Sequence, residues 1–240
     1  EISLGLVGSE MCIRDSSKRY PVVMSQYSGP GSQSVLDKWT IDWEYYLVSK
    51  GFIVACVDGR GTGGRSRAYE TSVYMQLGKL ETEDQVAGAE YMRTLPYVDD
   101  KHIGIYGWSY GGYETLMAMS TSNGTYQAGV AIAPVTDWRY YDTIYAERFM
   151  RTPNENNEGY EQSAPITHAE KLKGDLLIIS GTADDNVHYL NTLQYSAALI
   201  EAGIQFDTQI YTNKDHHIRG CNTRHHLYTK VCNFFLDKLK

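Results

Sequence analysis

The stretch Ile103-Gly104-Ile105-Tyr106-Gly107-Trp108-Ser109-Tyr110-Gly111-Gly112-Tyr113 decides the fold. A β-prone run ends in glycine, a serine sits between two aromatic residues, and two further glycines open an apolar, helix-prone segment that continues to Ser120. This is G-x-S-x-G between a strand and a helix, the sequence of a nucleophile elbow. The turn is so tight that side chains at neighbouring positions must be absent, and the serine hydroxyl is pushed out at the carboxyl rim of a sheet. The first N–H groups of the helix then face any negative charge that develops there. A bare G-x-S-x-G is a common accident, so the strand and helix around it make the motif informative.

Outward from the elbow, β-branched runs alternate with helical patterns, which predicts an α/β domain with a mostly parallel central sheet and helices on both faces. Strands read at residues 21–27, 52–57, 103–106, 128–133, 176–180 and 206–211. Thr82-Glu83-Asp84-Gln85 has the form of a capping box opening a helix that Pro96 closes. Val187, Leu190, Leu193, Ala197 and Ile200 recur at helical spacings before Gly203, and a last helix over residues 223–239 sets Leu227, Val231 and Phe234 on one face. Residues 138–167, polar and rich in tyrosine, read as an excursion over the edge of the sheet. No repeat or linker interrupts the pattern.

Composition agrees. A chain of 240 residues, 42% apolar and 21% charged, is one globular domain or at most two small ones. No apolar run approaches the roughly 18 residues of a membrane span. With 22 Lys and Arg against 29 Asp and Glu, the net charge of −7 disfavours nucleic acid and anionic lipid as partners. Tyrosine, at 20 against 5 Phe, is in excess, and its flat apolar ring with a polar tip suits both cores and clefts. Cys12, Cys56, Cys221 and Cys232 form no CxxC, which argues against a zinc module. Cys56, inside the apolar run 52–57, reads as a small buried hydrophobe, while Cys221 and Cys232 are able to pair or stay free.

Residues 1–16, EISLGLVGSEMCIRDS, lack both the basic start of a signal peptide and any strand or helix period. They resemble a translated sequencing-adapter tail. The expectation is a non-native leader over 1–16 and a catalytic domain over 17–240.

A serine hydroxyl is a weak nucleophile until a base takes its proton, and in this fold the acid and the histidine follow the serine in that order. They do so here. The strand at 176–180 runs into GTADDNVH at 181–188, which offers Asp184 or Asp185. The strand at 206–211 runs into TNKDHH at 212–217, which offers His216 or His217. Three loops at one rim of an open α/β sheet is where ligands bind. Spacing does not separate the members of either doublet.

Two other patterns compete. Gly59-Arg60-Gly61-Thr62-Gly63-Gly64 satisfies G-x-G-x-x-G and, extended to Ser66, is one residue from a phosphate-binding loop, with Arg65 in place of lysine. Both readings need a helix at once, and the residues after Ser66 have no clean helical face, so a flexible loop beside the site is the better reading. The pairs His216/His217 and His225/His226 match no hydrolytic zinc spacing, so no metal or organic cofactor is expected.

Four segments together, GWSYGGY at 107–113, YYDTIYAER at 140–148, GTADDNVH at 181–188 and YSGP at 27–30, resemble the dipeptidyl peptidase branch of the prolyl oligopeptidase family. The resemblance runs from about Lys18 to the end of the chain. It implies an α/β-hydrolase peptidase domain that works through an acyl-enzyme and releases Xaa-Pro or Xaa-Ala dipeptides from peptide N-termini. It resolves the doublets, implying Ser109 as nucleophile, His216 as base and Asp184 as its acid. It implies an oxyanion hole from the Tyr27 hydroxyl and the Tyr110 N–H, with two donors each worth about 3–4 kcal/mol. It implies a pocket for proline or alanine walled by Trp138, Tyr141, Tyr145, Val135 and Val187, and Asn186 as the amide that holds the carbonyl of the substrate's first residue. Family members carry an N-terminal β-propeller whose paired glutamates bind the free amino terminus, and no segment of this sequence matches it. Members often dimerise through their C-terminal region, and they occupy periplasmic, extracellular or membrane-associated locations. His217 departs from the pattern, since relatives have a small residue after the histidine. The alternatives are a broader oligopeptidase or esterase of the same fold, and a truncated, non-catalytic module.

Overall fold

The computed structural model describes residues 3–7, 18–39 and 41–240. Seven strands form one sheet: β1 (Ser3–Val7), β2 (Tyr20–Ser25), β3 (Ile53–Asp58), β4 (Val98–Trp108), β5 (Ala128–Ile132), β6 (Asp175–Gly181) and β7 (Asp207–Tyr211), in the order β1-β3-β2-β4-β5-β6-β7. Strands β2 to β7 run parallel to one another, as the alternation with helices predicts. β1 runs antiparallel to β3, with Ser3 opposite Asp58 and Val7 opposite Val54. This corrects the reading of the first residues as lacking strand character. An edge strand needs only one ladder of backbone hydrogen bonds, and that ladder leaves no mark in side-chain period. Residues 8–16 and Cys12 lie outside the described residues.

The described residues also form eight α-helices: α1 (Glu44–Ser49), α2 (Arg67–Glu70), α3 (Lys79–Arg93), α4 (Tyr110–Thr121), α5 (Thr143–Met150), α6 (Asn157–Gln162), α7 (Leu190–Glu201) and α8 (Thr223–Lys238). Among the described residues, no helix is long and apolar enough to cross a membrane. The strands alternate their side chains between two cores. Val22, Met24, Ile103, Ile105 and Ile178 face Met92 of α3, Leu116 and Met119 of α4, and Tyr195 and Leu199 of α7. Val23, Tyr106, Leu177 and Ile179 face Leu47 of α1 and Leu227, Val231 and Phe235 of α8. The period of two in β and about 3.6 in α is what allows one sheet to bury both faces.

Four local expectations change. Helix α3 starts at Lys79, one turn before Thr82, with Gly78 as its N-cap at φ 80°. Thr82 does not cap it, because its hydroxyl donates to Glu114 Oε1 at 2.8 Å, and Gln85 donates to Val57 O and Ser28 Oγ. Tertiary partners have claimed both capping side chains. Helix α7 buries Thr192, Tyr195 and Leu199, while Leu190, Leu193 and Ile200 stand outside it, Ile200 at 68% exposure. Helical spacing identified the helix, but the sheet claimed another of its faces. The segment 138–167 does not cross an edge strand. Its Trp138, Ala146, Met150 and Tyr160 pack with Tyr110, Tyr113 and Met117 of α4, above the carboxyl rim.

The glycine-rich loop at 59–64 is tightly held rather than flexible. The Asp84 carboxylate accepts from Arg60 N at 2.6 Å and from its guanidinium, Thr62 Oγ1 donates to Gly59 O, and Gly63 N donates to Ser32 O. A carboxylate therefore occupies the loop where a phosphate-binding loop would need an anion. Cys56, Cys221 and Cys232 are free thiols. Burial pushes the Cys56 thiol up to about 12, so it stays protonated and inert.

Helix α8 lies close enough to the sheet that a Cβ on Gly104 would come within 2.9 Å of the Phe235 ring. Phe235→Ala is expected to cost about 3–5 kcal/mol of unfolding free energy, measured from the urea midpoint. A loss below about 1 kcal/mol would show that α8 contributes little to the core.

Candidate active site

Ser109 closes β4 and caps α4 with φ 61° and ψ −116°, a conformation that L-residues rarely adopt. Its backbone is anchored on both sides: its N–H donates to Ile132 O at 2.8 Å and its carbonyl accepts from Tyr113 N at 2.9 Å. The glycines are there for want of space. A Cβ on Gly107 would fall 2.2 Å from Gly111 O, and one on Gly111 would fall 2.5 Å from Gln26 O. Helix α4 is thus pressed against the end of β2, and Gln26 fastens the two by donating from Nε2 to Gly111 O at 2.8 Å and to Thr115 Oγ1 at 3.2 Å.

The strand order doubles back at β2. β3 lies to one side of it and β4 to the other, and the crevice at such a switch point is where open α/β sheets hold ligands. Tyr27 leaves the end of β2 there, beside Ser109. Its ring lies 6.1 Å from that of Tyr110, and its hydroxyl interacts with the Ser109 side chain. Burial raises the Tyr27 phenol above its ordinary range, partly offset by Ser109, so it is a proton donor at neutral pH.

The loops after β6 and β7 are joined to each other and to the elbow. Ala183 N donates to Lys214 O at 3.0 Å, Asn213 N donates to Thr182 Oγ1 at 2.9 Å, and a Cβ on Gly181 would overlap Lys214 O. The Trp108 indole donates to His216 O at 3.0 Å, tying the histidine loop to the residue before Ser109. Asp184 and His216 are both buried, and Asp184 Oδ2 lies 2.8 Å from His216 Nδ1. The other carboxylate oxygen accepts from Asn186 N and Val187 N at 3.0 and 2.9 Å. Asp185 and His217 are exposed. The geometry therefore distinguishes the members of both doublets. A His216 bonded through Nδ1 keeps Nε2 as the ring nitrogen that Asp184 does not use.

The remaining expected residues form an aromatic wall over α4. Trp138 is 1% exposed and stacks on Tyr145 at 5.8 Å with 21° between the rings, while Tyr141 meets both edge-on. Val135 and Val187 are buried behind them in the same cluster. Tyr141 and Tyr145 keep part of their surface open. The Tyr141 hydroxyl donates to Asn186 Oδ1 at 2.7 Å, which uses the acceptor of that amide and leaves its NH₂ group for other partners. His226, from the second histidine pair, is engaged through Nδ1 with the Tyr211 hydroxyl at 2.8 Å.

Several residues that build this rim carry no sequence signal: Gln26, the Trp108 indole, and Glu81, which is buried and accepts from the Tyr110 hydroxyl at 2.7 Å. A buried glutamate in the first turn of an otherwise polar helix looks, in sequence, like any helix-start acid.

Comparison with known proteins gives the family. The family model described as the prolyl oligopeptidase family matches residues 39–240. The chain is 42% identical over 224 residues to dipeptidyl peptidase 4 of Sus scrofa, and 41% identical over 224 residues to prolyl endopeptidase FAP of Mus musculus. Each match covers 92% of this chain and 29% of the relative. The crystal structure of Porphyromonas gingivalis dipeptidyl peptidase 4 superposes with a TM-score of 0.96 at 54% identity, covering 99% of this chain and 34% of that one. The chain thus spans about a third or less of the length of these relatives. With its elbow serine, its parallel sheet and these matches, the chain belongs to the prolyl oligopeptidase family of serine peptidases, as a dipeptidyl peptidase IV-like member with the α/β-hydrolase fold.

Proposed function

We propose that the chain is the catalytic domain of a serine dipeptidyl peptidase that cleaves after Xaa-Pro or Xaa-Ala. The buried Asp184–His216 hydrogen bond, roped by Trp108 to the Ser109 elbow, carries this reading. In it, Ser109 Oγ attacks the scissile carbonyl as His216 Nε2 takes its proton. The Asp184 carboxylate, gripped by two backbone N–H groups, holds the ring in the tautomer with Nδ1–H and stabilises the imidazolium that forms. The proton then passes to the leaving amine, and water releases the acyl-enzyme by the same steps in reverse order.

The tetrahedral oxygen is received by the Tyr27 hydroxyl and the N–H of Tyr110, the first residue of α4 and outside its hydrogen-bond ladder. Proline or alanine stacks against Tyr141 and Tyr145, backed by Trp138, Val135 and Val187. A flat pyrrolidine needs no polar partner on such a surface, whereas a charged side chain would be buried unpaired. The Asn186 NH₂ group receives the carbonyl of the substrate's first residue, steadied by Tyr141. Selection of a free amino terminus belongs to the part of the relatives that this chain does not span. The homodimer implied by the resemblance is tested by light scattering on the purified protein.

A fluorophosphonate probe is expected to label Ser109 in the purified chain and not in Ser109→Ala. A folded, unlabelled wild type would contradict the reading. Asp184→Asn should reduce turnover on the order of 10⁴-fold by fixing the wrong tautomer, and Asp185→Asn should cost less than about tenfold. Equal losses from the two substitutions would overturn the assignment of Asp184. Hydrolysis of Xaa-Pro and Xaa-Ala anilides should exceed that of the matching Xaa-Lys anilide by at least about 100-fold, and comparable rates would favour a broader esterase or oligopeptidase.

A further inference from the structure

Beneath the rim, two glutamates are buried where the proposed chemistry has no use for a charge. Glu81 sits three residues after the N-cap Gly78, in the first turn of α3. From there its Oε1 accepts from the Tyr110 hydroxyl at 2.7 Å. Glu114, from α4, accepts from the Thr82 hydroxyl at 2.8 Å. The second oxygen of each carboxyl is buried with no partner among the described residues.

Tyr110 connects this pair to the chemistry. It follows Ser109 directly, and its ring packs on Tyr27, Tyr113 and Trp138 at centroid distances of 6.1, 5.1 and 5.5 Å. Tyr110 thus carries both the N–H beside the nucleophile and the floor under the aromatic wall. We propose that Glu81 is a positioning residue for the reaction at Ser109: ionised, it grips the Tyr110 hydroxyl from the start of α3 and holds the oxyanion N–H and the pocket floor in their working arrangement. This rests on the roles proposed above for Ser109 and Tyr110.

The charge of Glu81 is balanced near neutrality. Burial pushes its carboxyl up to about 7, with Asp84 on its own helix adding to the rise, while the Glu81 and Gly78 N–H groups and the Tyr110 hydroxyl oppose it. Across from it on α4, burial and the neighbouring Glu81 hold Glu114 well above the carboxylate range, so Glu114 is the neutral member of the pair. Tyr110, Tyr113 and Tyr145 also face Glu81, and burial keeps all three phenols protonated. The grip is therefore a charge-assisted bond above about pH 7 and a weaker, neutral one below it.

The experiment is the rate of Ser109 labelling by a fluorophosphonate between about pH 5.5 and 8.5 in wild type, Glu81→Gln, Tyr110→Phe and Glu114→Gln, with thermal unfolding as the check on folding. Glu81→Gln keeps the shape and the acceptor oxygen but cannot ionise. It is expected to label about fivefold more slowly than wild type at about pH 8.5, with the ratio approaching one below about pH 6. Tyr110→Phe should slow labelling at least as much at about pH 8.5, and the double variant should cost no more than Tyr110→Phe alone. Glu114→Gln, isosteric with the neutral acid, should match wild type. A ratio for Glu81→Gln that is constant with pH, or additive losses in the double variant, would overturn the inference. A folded wild type that does not label at all would instead overturn the assignment of Ser109.

Discussion

The structure depends on the close approach of α4 to the end of β2. Gly111 lies against the Gln26 carbonyl, and Gly107 against Gly111, at separations that no side chain permits. That contact forces the turn between β4 and α4 to close within one residue, and Ser109 takes the strain at φ 61° and ψ −116°. Such a conformation costs about 1–3 kcal/mol and persists only where its surroundings over-determine it. Here they do, through the Ser109 bonds to Ile132 and Tyr113 and the Gln26 amide across to Gly111 and Thr115. Ser28 and Gln85 extend this buried polar network to β3, every link between elements that the sheet already holds together. A connected buried network of this kind rigidifies the elements it joins.

From that fixed point the site is assembled by loops that would otherwise be independent. The strands β4, β6 and β7 end at one rim because they are parallel, but parallel strands alone leave their loops free to splay. The Ala183–Lys214 and Asn213–Thr182 bonds join two of the loops, and the Trp108 indole ties the pair to the elbow. Polar groups are spent economically: Asp184 uses one oxygen on His216 and the other on the turn that carries Asn186 and Val187. Below them lies an apolar, aromatic layer around Trp138, and below that the buried carboxyls of Glu81 and Glu114. The rim is thus supported by progressively drier layers, where hydrogen bonds are stronger and misplacement costs more.

The sequence by itself determined the α/β class, the approximate places of six strands along the chain and the position of the elbow, because each is written in local pattern: period two in the strands, helical spacing between them, and glycines where only glycine fits. It also brought the acid and histidine down to two doublets. Local pattern could not separate those doublets; the resemblance implied Asp184 and His216, and the structure turns these two side chains inward and leaves Asp185 and His217 exposed. Other features only the tertiary structure decided. Thr82 and Gln85 look like caps until Glu114 and Ser28 claim them, and α7 has a plain apolar stripe that the sheet leaves outside. The glycine-rich loop after β3 reads as flexible until Asp84, on another element, ties down Arg60. Glu81 is the furthest case, since nothing in its neighbours shows that a tyrosine on α4 will bury it. Backbone conformation is chosen by residues close in the chain, but burial and charge are set by residues brought together from far apart, and only the folded structure brings them together.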